Sequence, residues 1–468
     1  MQTYQDLLNV GANDIKRGEF CKMAVEQFKS TENYKNAYAG ELYYAKRNVT
    51  IEKFKKFITT ISGQKREDMF SANYKLKSLI FRRFVIQQVQ YVLGNGLKLE
   101  EPENKKKLGK DFDYKLQLAA KRALVCGTGF GFWNLDHLEV FGYCETDTSP
   151  GFCPLYSEDT AELLAGIRFW TRKVGDINVF RCTLYEADGY TEFIKSGDKD
   201  IEIHTPKRGY IKTTVATEAG GVESESYSNY TFGLPIVPLY GNDLHESELN
   251  GLRENIDCYD YIKSGFANDI DDTPGIYWAI KNAGGMDDAD LARFVQRMRT
   301  VRAATVDDDQ DIEAHTLDIP VEARSKMLEL LRADLYEDFQ ALDVKSLSAS
   351  QKTTQEIQAA YQAQDNKCAD FEYHVLQFVD KILMFAGITD EEASFTWNKV
   401  VNMTEQTNMI LMASNYLSDE MVLKKLPFLT PEEIEEETAK LTERNAQQFN
   451  ANPAEGDNDL IDELGDDE

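Results

Sequence analysis

A mainly helical α+β fold is what the 468-residue sequence predicts, on three observations. Apolar residues recur at spacings of three and four toward both ends of the chain, the pattern of amphipathic helices. From residue 127 to about 240 the pattern changes to short aromatic and β-branched runs broken by Gly and Asp, which read as strands. Aromatic residues make up 11% of the chain, enough to fill a core and to argue against disorder throughout.

The elements follow in order. Residues 1 to about 62 are helical in character and mixed in charge. Asn73 to Gly96 reads as a clear helix, with Leu76, Ile80, Val85 and Val89 near one face and Gly94-Asn95-Gly96 as its stop. Lys105-Lys106-Lys107 reads as a solvated loop, and 114–126 again as helix. Strands follow in the runs GFGFWNL, GIRFWTRKV, INVFRCTLYEA, YTEFIK and IEIHTP, and 217–229 reads as an exposed loop.

Residues 241–272 then read as one acidic helix, with Leu249, Leu252, Ile256, Tyr259 and Ile262 in its apolar stripe. A compact insert spans 275–319: a strand over Ile276–Ile280, a turn at Gly284-Gly285, a short helix over Asp287–Arg299 and two further strand-like stretches. Pro320 opens a helix expected to reach residue 343, roughly 35 Å long, striped by Leu328, Leu331, Leu335, Phe339 and Leu342. A third long helix is expected from Thr354 to Phe385, with Phe371, Val375, Phe378, Ile382 and Phe385 repeating at 4-3-4-3. Thr430-Pro431-Glu432-Glu433 is a capping box. The acidic tail over 451–468 has little to pack and is expected to be disordered.

The net charge of −28 argues against a protein that clamps nucleic acid by neutralising phosphates, but not against one that lets DNA pass without sticking. Seven scattered cysteines, none in CxxC, read as reduced thiols of a cytosolic setting. Neither a signal peptide nor a membrane span is visible. The glycine-rich stretch CGTGFGFWNL, 126–135, lacks the Lys-Ser/Thr of a phosphate-binding loop and reads as a strand edge or tight turn. The five histidines lie far apart, and the acid runs Asp269–Asp272 and Asp307–Asp309 lack a calcium-loop frame. No enzyme, metal or cofactor is expected.

The informative feature is an order of parts: helix, small insert, helix, polar loop, helix. That order suits a stalk with a knob at its tip, packed against copies of itself. Periodicity alone leaves an ordinary helical hairpin in a monomer equally open. The residues do match a family. Gly233, Pro235, Pro238, Asn242, Ser247, Leu249, Ile256, Asp257, Tyr259, Ser264, Asn268 and Asp269 reproduce a pattern of the portal proteins of tailed double-stranded DNA bacteriophages. The stretches NYKLKSLIFRRFVIQQVQYVLGNGLKL, LVCGTGFGFWNLD, SFTWNKVVNMTEQTNMI and YLSDEMVLKKLPFLTPEEIEEE resemble other segments of that family, in the right order. The chain departs from it at the junction before the third helix, which reads Ser-Ala-Ser-Gln where Ser-Gly is usual.

The resemblance implies a portal fold assembled as a ring, usually of twelve subunits. It places a wing over 1–243, a first stem helix over 244–272, a clip over 273–319 and a second stem helix over 320–343. A tunnel loop follows over 344–353, then a long wing helix and return over 354–399, a crown over 400–450, and the tail. Implied stem-packing residues are Leu249, Leu252, Ile256, Tyr259, Leu328, Leu331, Leu335 and Phe339. Implied partners are copies of the chain, double-stranded DNA bound without sequence specificity, the terminase, a head-to-tail adaptor, and the capsid and scaffold proteins. The implied location is the virion's portal vertex, after assembly in the host cytoplasm, with no membrane contact.

Within that frame the twelve residues Val344 to Gln355, which carry no Asp or Glu, become a candidate DNA contact. Lys345 and Lys352 would touch the phosphate backbone, with Ser346, Ser348 and Ser350 as donors. The plain alternative is a helix–helix linker, and a virion adaptor without DNA contact is the alternative for the whole chain.

Overall fold

Three of the first helices begin where a side chain takes up an orphan backbone N–H. Helix α1 (Tyr4–Val10) is capped by Thr3 in a reciprocal capping box with Asp6. Helix α2 (Asp14–Ser30) is capped by Asn13 and α3 (Glu32–Tyr44) by Thr31. The short α4 (Val49–Lys53) follows, then a hairpin of β1 (Phe57–Thr59) and β2 (Lys65–Glu67). This computed structural model describes residues 2–59, 64–68, 71–216, 222–272, 277–281, 289–290, 293, 311–315, 320–345, 354–399, 407, 410–426, 429, 433–434 and 436–443. They fall into two units, Met1–Asn398 and Lys399–Glu468.

Helix α5 spans Ile80–Leu93, shorter than expected: residues 73–79 lie outside it, in neither helix nor strand. The reason lies in a later helix, whose side chains take up backbone N–H groups of this segment. After α5 come β3 (Leu97–Lys98), α6 (Pro102–Lys107) and α7 (Phe112–Cys126). The three lysines are therefore the last turn of a helix, where cations suit the dipole. Lys105 bonds the Leu97 carbonyl and pairs with Asp113.

Two sheets make the middle of the first unit. β4 (Thr128–Asn134) lies between β5 (His137–Phe141) and a later strand. The glycine-rich stretch is thus a central strand rather than an edge. Its glycines admit close neighbours: a Cβ on Gly131 would lie 2.4 Å from the Phe378 ring, and one on Gly129 2.6 Å from the Ala119 carbonyl. A five-stranded antiparallel meander follows in chain order: β6 (Gly151–Tyr156), β7 (Leu163–Val174), β8 (Ile177–Glu186), β9 (Gly189–Ser196) and β10 (Glu202–Arg208).

Residues read as an exposed loop instead carry a strand. β12 (Val222–Ser228) pairs with β11 (Ile211–Ala216), with Lys212 opposite Tyr227 and ion-paired to Glu225 at 2.8 Å. β13 (Ile236–Tyr240) completes the three-stranded sheet. Helix α2 covers the five-stranded sheet so closely that a Cβ on Gly18 would lie 2.9 Å from the Phe193 ring. On the opposite face the rings of Phe130, Phe141 and Phe152 join the two sheets in one aromatic core.

The helix expected over 241–272 begins only at Arg253, as α8 (Arg253–Asp272). Local side-chain bonds compete with helix before it: Asn242 accepts from the Glu246 N–H and donates to its carbonyl, and Ser247 donates to the Val125 carbonyl at 2.6 Å. The insert shows β14 (Tyr277–Lys281) antiparallel to β15 (Asp311–His315). Its expected helix lies mostly outside the described residues. α9 (Val321–Phe339) ends four residues early because Gln340 turns left-handed, at φ 60°, and donates to the last turn. α10 (Thr354–Phe385) runs as expected, and β16 (Ser394–Phe395) pairs with β3. In the second unit Ser418 caps α11 (Asp419–Lys425). The expected capping box at Thr430 and the acidic tail lie outside the described residues.

Helix α8 carries a polar seam along one side. The backbone N–H groups of Tyr74, Leu76 and Ser78 donate to Asn268 Oδ1, Ser264 Oγ and Asp260 Oδ1, at 2.6, 2.9 and 2.8 Å. Four extended residues span about 13 Å, and eight helical residues about 12 Å, so alternate N–H groups meet successive helical turns. Asp260 also accepts from Asn48, and Asp257 from Tyr43 and Thr50. These two acids of α8 therefore face the N-terminal body.

Replacing Asp260 with Ala strands two buried donors and should cost about 2–4 kcal/mol, read from urea unfolding. Asp260→Asn should cost less, since Asn48 can turn its unpartnered Oδ1 toward the new amide. Burial raises the Asp260 carboxyl above its ordinary range. The wild type should thus lose stability, relative to Asp260→Asn, as pH rises from about 3.9 to that raised value.

Candidate functional site

The two helices α8 and α9 run antiparallel. Asn255 donates to Asp338 at 2.9 Å near one end, and Arg324 pairs with Asp269 near the other. Fourteen residues separate the two ties on each helix, or about 21 Å. Of the expected packing residues, Ile256, Leu331, Leu335 and Phe339 are buried on these helices, and Tyr259 and Leu328 are half-buried. Leu249 and Leu252 are buried too, but in the turns before α8.

Where α9 ends, an aromatic knot fixes its direction. The Phe84 ring of α5 stacks on Phe339 at 4.8 Å and meets Tyr336 edge-on at 4.9 Å. Lys367 of α10 lies 3.5 Å from the centre of the Phe339 ring, pairs with Glu248 at 2.6 Å, and donates to the Phe339 carbonyl. One ammonium thus ties together α9, α10 and the turn before α8.

The candidate DNA-facing loop leaves from this knot. Gln87 of α5 donates to the Leu342 carbonyl at 3.0 Å, and Leu342 is buried. Arg332 holds Asp343 at 2.7 Å, and Asp343 accepts the Lys345 N–H at 3.1 Å. Lys345 is exposed, as is Val344. Ser346, Ser348, Ser350 and Lys352 lie outside the described residues. The chain returns to α5 on α10: Tyr361 stacks on Tyr91 at 5.9 Å, and Tyr91 donates its hydroxyl to Asp365. Burial and that carboxylate push the Tyr91 phenol up. Both ends of the 346–353 segment are therefore held on one helix.

The pair also leaves large apolar side chains exposed among its charged ones. Tyr261, Ile270, Val321, Met327 and Leu330 are exposed on α8 and α9. Phe54, its ring tilted against that of Tyr261 at 4.8 Å, and Tyr74 extend the surface. A groove of about 530 Å³ opens between them, edged by Lys55, Lys56 and Lys75. Among the described residues no His, Cys, Asp and Glu cluster could hold a metal, and no helix is long and apolar enough to cross a membrane.

Sequence reasoning missed Lys367, Glu248, Gln87, Arg332 and Asp260. The seam had a signal: Asp260, Ser264 and Asn268 stand four apart, a polar stripe on a helix that also carries an apolar one.

The site is thus built from two long antiparallel helices, a small sheet between them in sequence, and a third long helix. A family model described as phage portal protein, SPP1 Gp6-like, matches residues 26–448, and the chain belongs to that family. It is 26% identical to the portal protein of Clostridium phage phiCD119 over 224 residues, 46% of this chain and 49% of that one. It is 24% identical to the portal protein of Bacillus phage SPP1 over 322 residues, 65% of this chain and 60% of that one. The chain thus spans about half to three-fifths of the length of these relatives.

Lys367→Met should destabilise the chain by about 3 kcal/mol, because it strands the Glu248 carboxylate among poorly solvated neighbours. Glu248→Gln in the same chain should recover part of that loss, and the four-member cycle of unfolding energies measures the coupling.

Proposed function

We propose that the chain forms a ring at one vertex of a phage capsid, and that its channel carries DNA in during packaging and out during ejection. The carrying observation is the antiparallel pair α8–α9, which leaves Tyr261, Ile270, Val321, Met327 and Leu330 exposed. Packing against the next copy would remove that apolar surface from water. A closed ring leaves no copy with an uncovered side.

In this reading residues 1–243 are the wing, α8 and α9 the stem, 273–319 the clip, 344–353 the tunnel loop, and 400–450 the crown. The clip would dock the terminase and later the adaptor, and the wing would meet capsid and scaffold proteins. The role is structural rather than enzymatic, and its place is the virion. Asp334 and Glu337 are acids of α9 that no ion pair occupies among the described residues. Such carboxylates would repel a duplex bearing one charge per about 1.7 Å of axis and keep it mobile. The tethered loop with Lys345 and Lys352 would touch the backbone without reading sequence.

Two measurements test this. Purified protein should appear as rings with a central hole, with a solution mass of roughly 640 kDa if twelve copies of the 53.3 kDa chain assemble. A persistent monomer in the presence of capsid and scaffold proteins would overturn the reading. The double variant Lys345→Glu, Lys352→Glu should still form rings but fail to package or retain DNA. Normal packaging by that variant would remove the loop from the mechanism.

A further inference from the structure

The five-stranded sheet leaves part of one face uncovered. Cross-strand pairing puts Gly166 with Tyr185, Arg168 with Thr183, Trp170 with Arg181 and Arg172 with Val179. Rings from the three-stranded sheet cover the half that carries Phe152 and Tyr185. Beyond it the face ends in Arg168, Trp170, Arg172 and Arg181. Arg172 and Arg181 are exposed, and Trp170 is half-buried.

These arginines stack rather than pair. Arg172 lies 4.2 Å from the centre of the Trp170 ring and Arg181 5.9 Å, while Arg168 lies 4.4 Å from Phe141. None of the three has an ion-pair partner among the described residues. Elsewhere in this chain of net charge −28, cations of the same unit are held by acids: Arg17 by Glu186, Lys29 by Glu145, Lys207 by Glu186 and Asp188. A guanidinium stacked on its flat face keeps its N–H edge available for a carboxylate.

A pocket of about 350 Å³ lies beside them, lined by Arg168, Trp170, Arg181, Thr183, Glu192 and His204. The register of β10 against β9 slips between Ile203 and Thr205, so His204 is the extra residue of a bulge. Bulges re-aim side chains, and this one brings an imidazole to the pocket rim. Glu192, which accepts from the Thr205 hydroxyl at 2.6 Å, puts one carboxylate among the cations.

We propose that this face of the sheet binds an acidic peptide segment of a partner protein, one that carries carboxylates beside an apolar anchor. Carboxylates would take the edges of Arg172 and Arg181, and the anchor would pack on Trp170. Trp and Arg are the side chains that dominate protein interfaces. The Glu192 carboxylate favours a peptide, whose backbone N–H groups it can accept, over a nucleic-acid backbone, which it would repel. The proposal does not depend on the ring.

The test is fluorescence anisotropy of a fluorescein-labelled peptide of alternating Glu and Phe, titrated with the full chain at low salt. Saturable binding is expected. The pair Arg172→Glu, Arg181→Glu should weaken it about tenfold or more. Arg208→Glu should leave it unchanged, since that exposed arginine lies over Tyr227 outside the patch. Should circular dichroism show the charge-reversed chain unfolded, the Gln pair at the same positions reads the same loss. No binding, or equal binding by the variants, overturns the proposal. So does tighter binding of a duplex of like length, which would make the face a nucleic-acid surface.

Discussion

The constraint on which the rest depends is the polar seam between α8 and the segment before α5. Helix α8 cannot satisfy that segment with its own backbone, because helical N–H and C=O groups are already used. It does so with side chains, Asp260, Ser264 and Asn268, while Asp257 and Asp260 reach back to Tyr43 of α3, Thr50 of α4 and Asn48 before α4. Through these bonds the N-terminal body sets where α8 points. Since α9 is tied to α8 at both ends, and α9 ends in the knot with Phe84 and Lys367, the whole path to the loop follows from that placement.

Much of this was legible in the sequence. The strand region, the long helices and the apolar stripe of α9 are periodic, and periodicity survives any tertiary arrangement that buries one face. What failed were boundaries and exceptions. Leu76 stands at helical spacing from Ile80, yet distant acceptors keep residues 73–79 out of the helix. Residues 242–252 continue the apolar stripe, yet the Asn242 and Ser247 side chains bond locally and delay the helix. Polar β12 has no apolar alternation to mark it, and its pairing with β11 decides its form. In the site, charge composition marked out Lys345 as one of the lysines of an acid-free stretch, but Lys367 looks like any other helical lysine. Its ring contact and its Glu248 partner are separated from it in sequence, and only the fold brings them together.

The distribution of charge also has a physical order. An acidic chain that folds must keep its acids apart or pair them. Here α8 turns two acids inward to hydrogen-bond donors and gives Asp269 to Arg324. The cations near the loop are held in place by geometry rather than gathered by number: Arg332 sets Asp343, and Asp343 orders the backbone at Lys345. The outer sheet face differs, with arginines supported by rings and their polar edges outward.

The seam also limits how the gene can change length. It works as a vernier, since two unlike rulers agree only because four strand steps and eight helical steps cover nearly the same distance. An extra residue between Asp260 and Asn268 would swing the lower acceptors about 100° around the helix axis. An extra residue between Tyr74 and Ser78 would turn the N–H groups to the opposite side. Insertions and deletions are therefore excluded from both stretches at once, although neither lies in a compact hydrophobic core. Drift in length among related chains is free to accumulate instead in exposed turns such as the one joining β7 to β8 at Gly175.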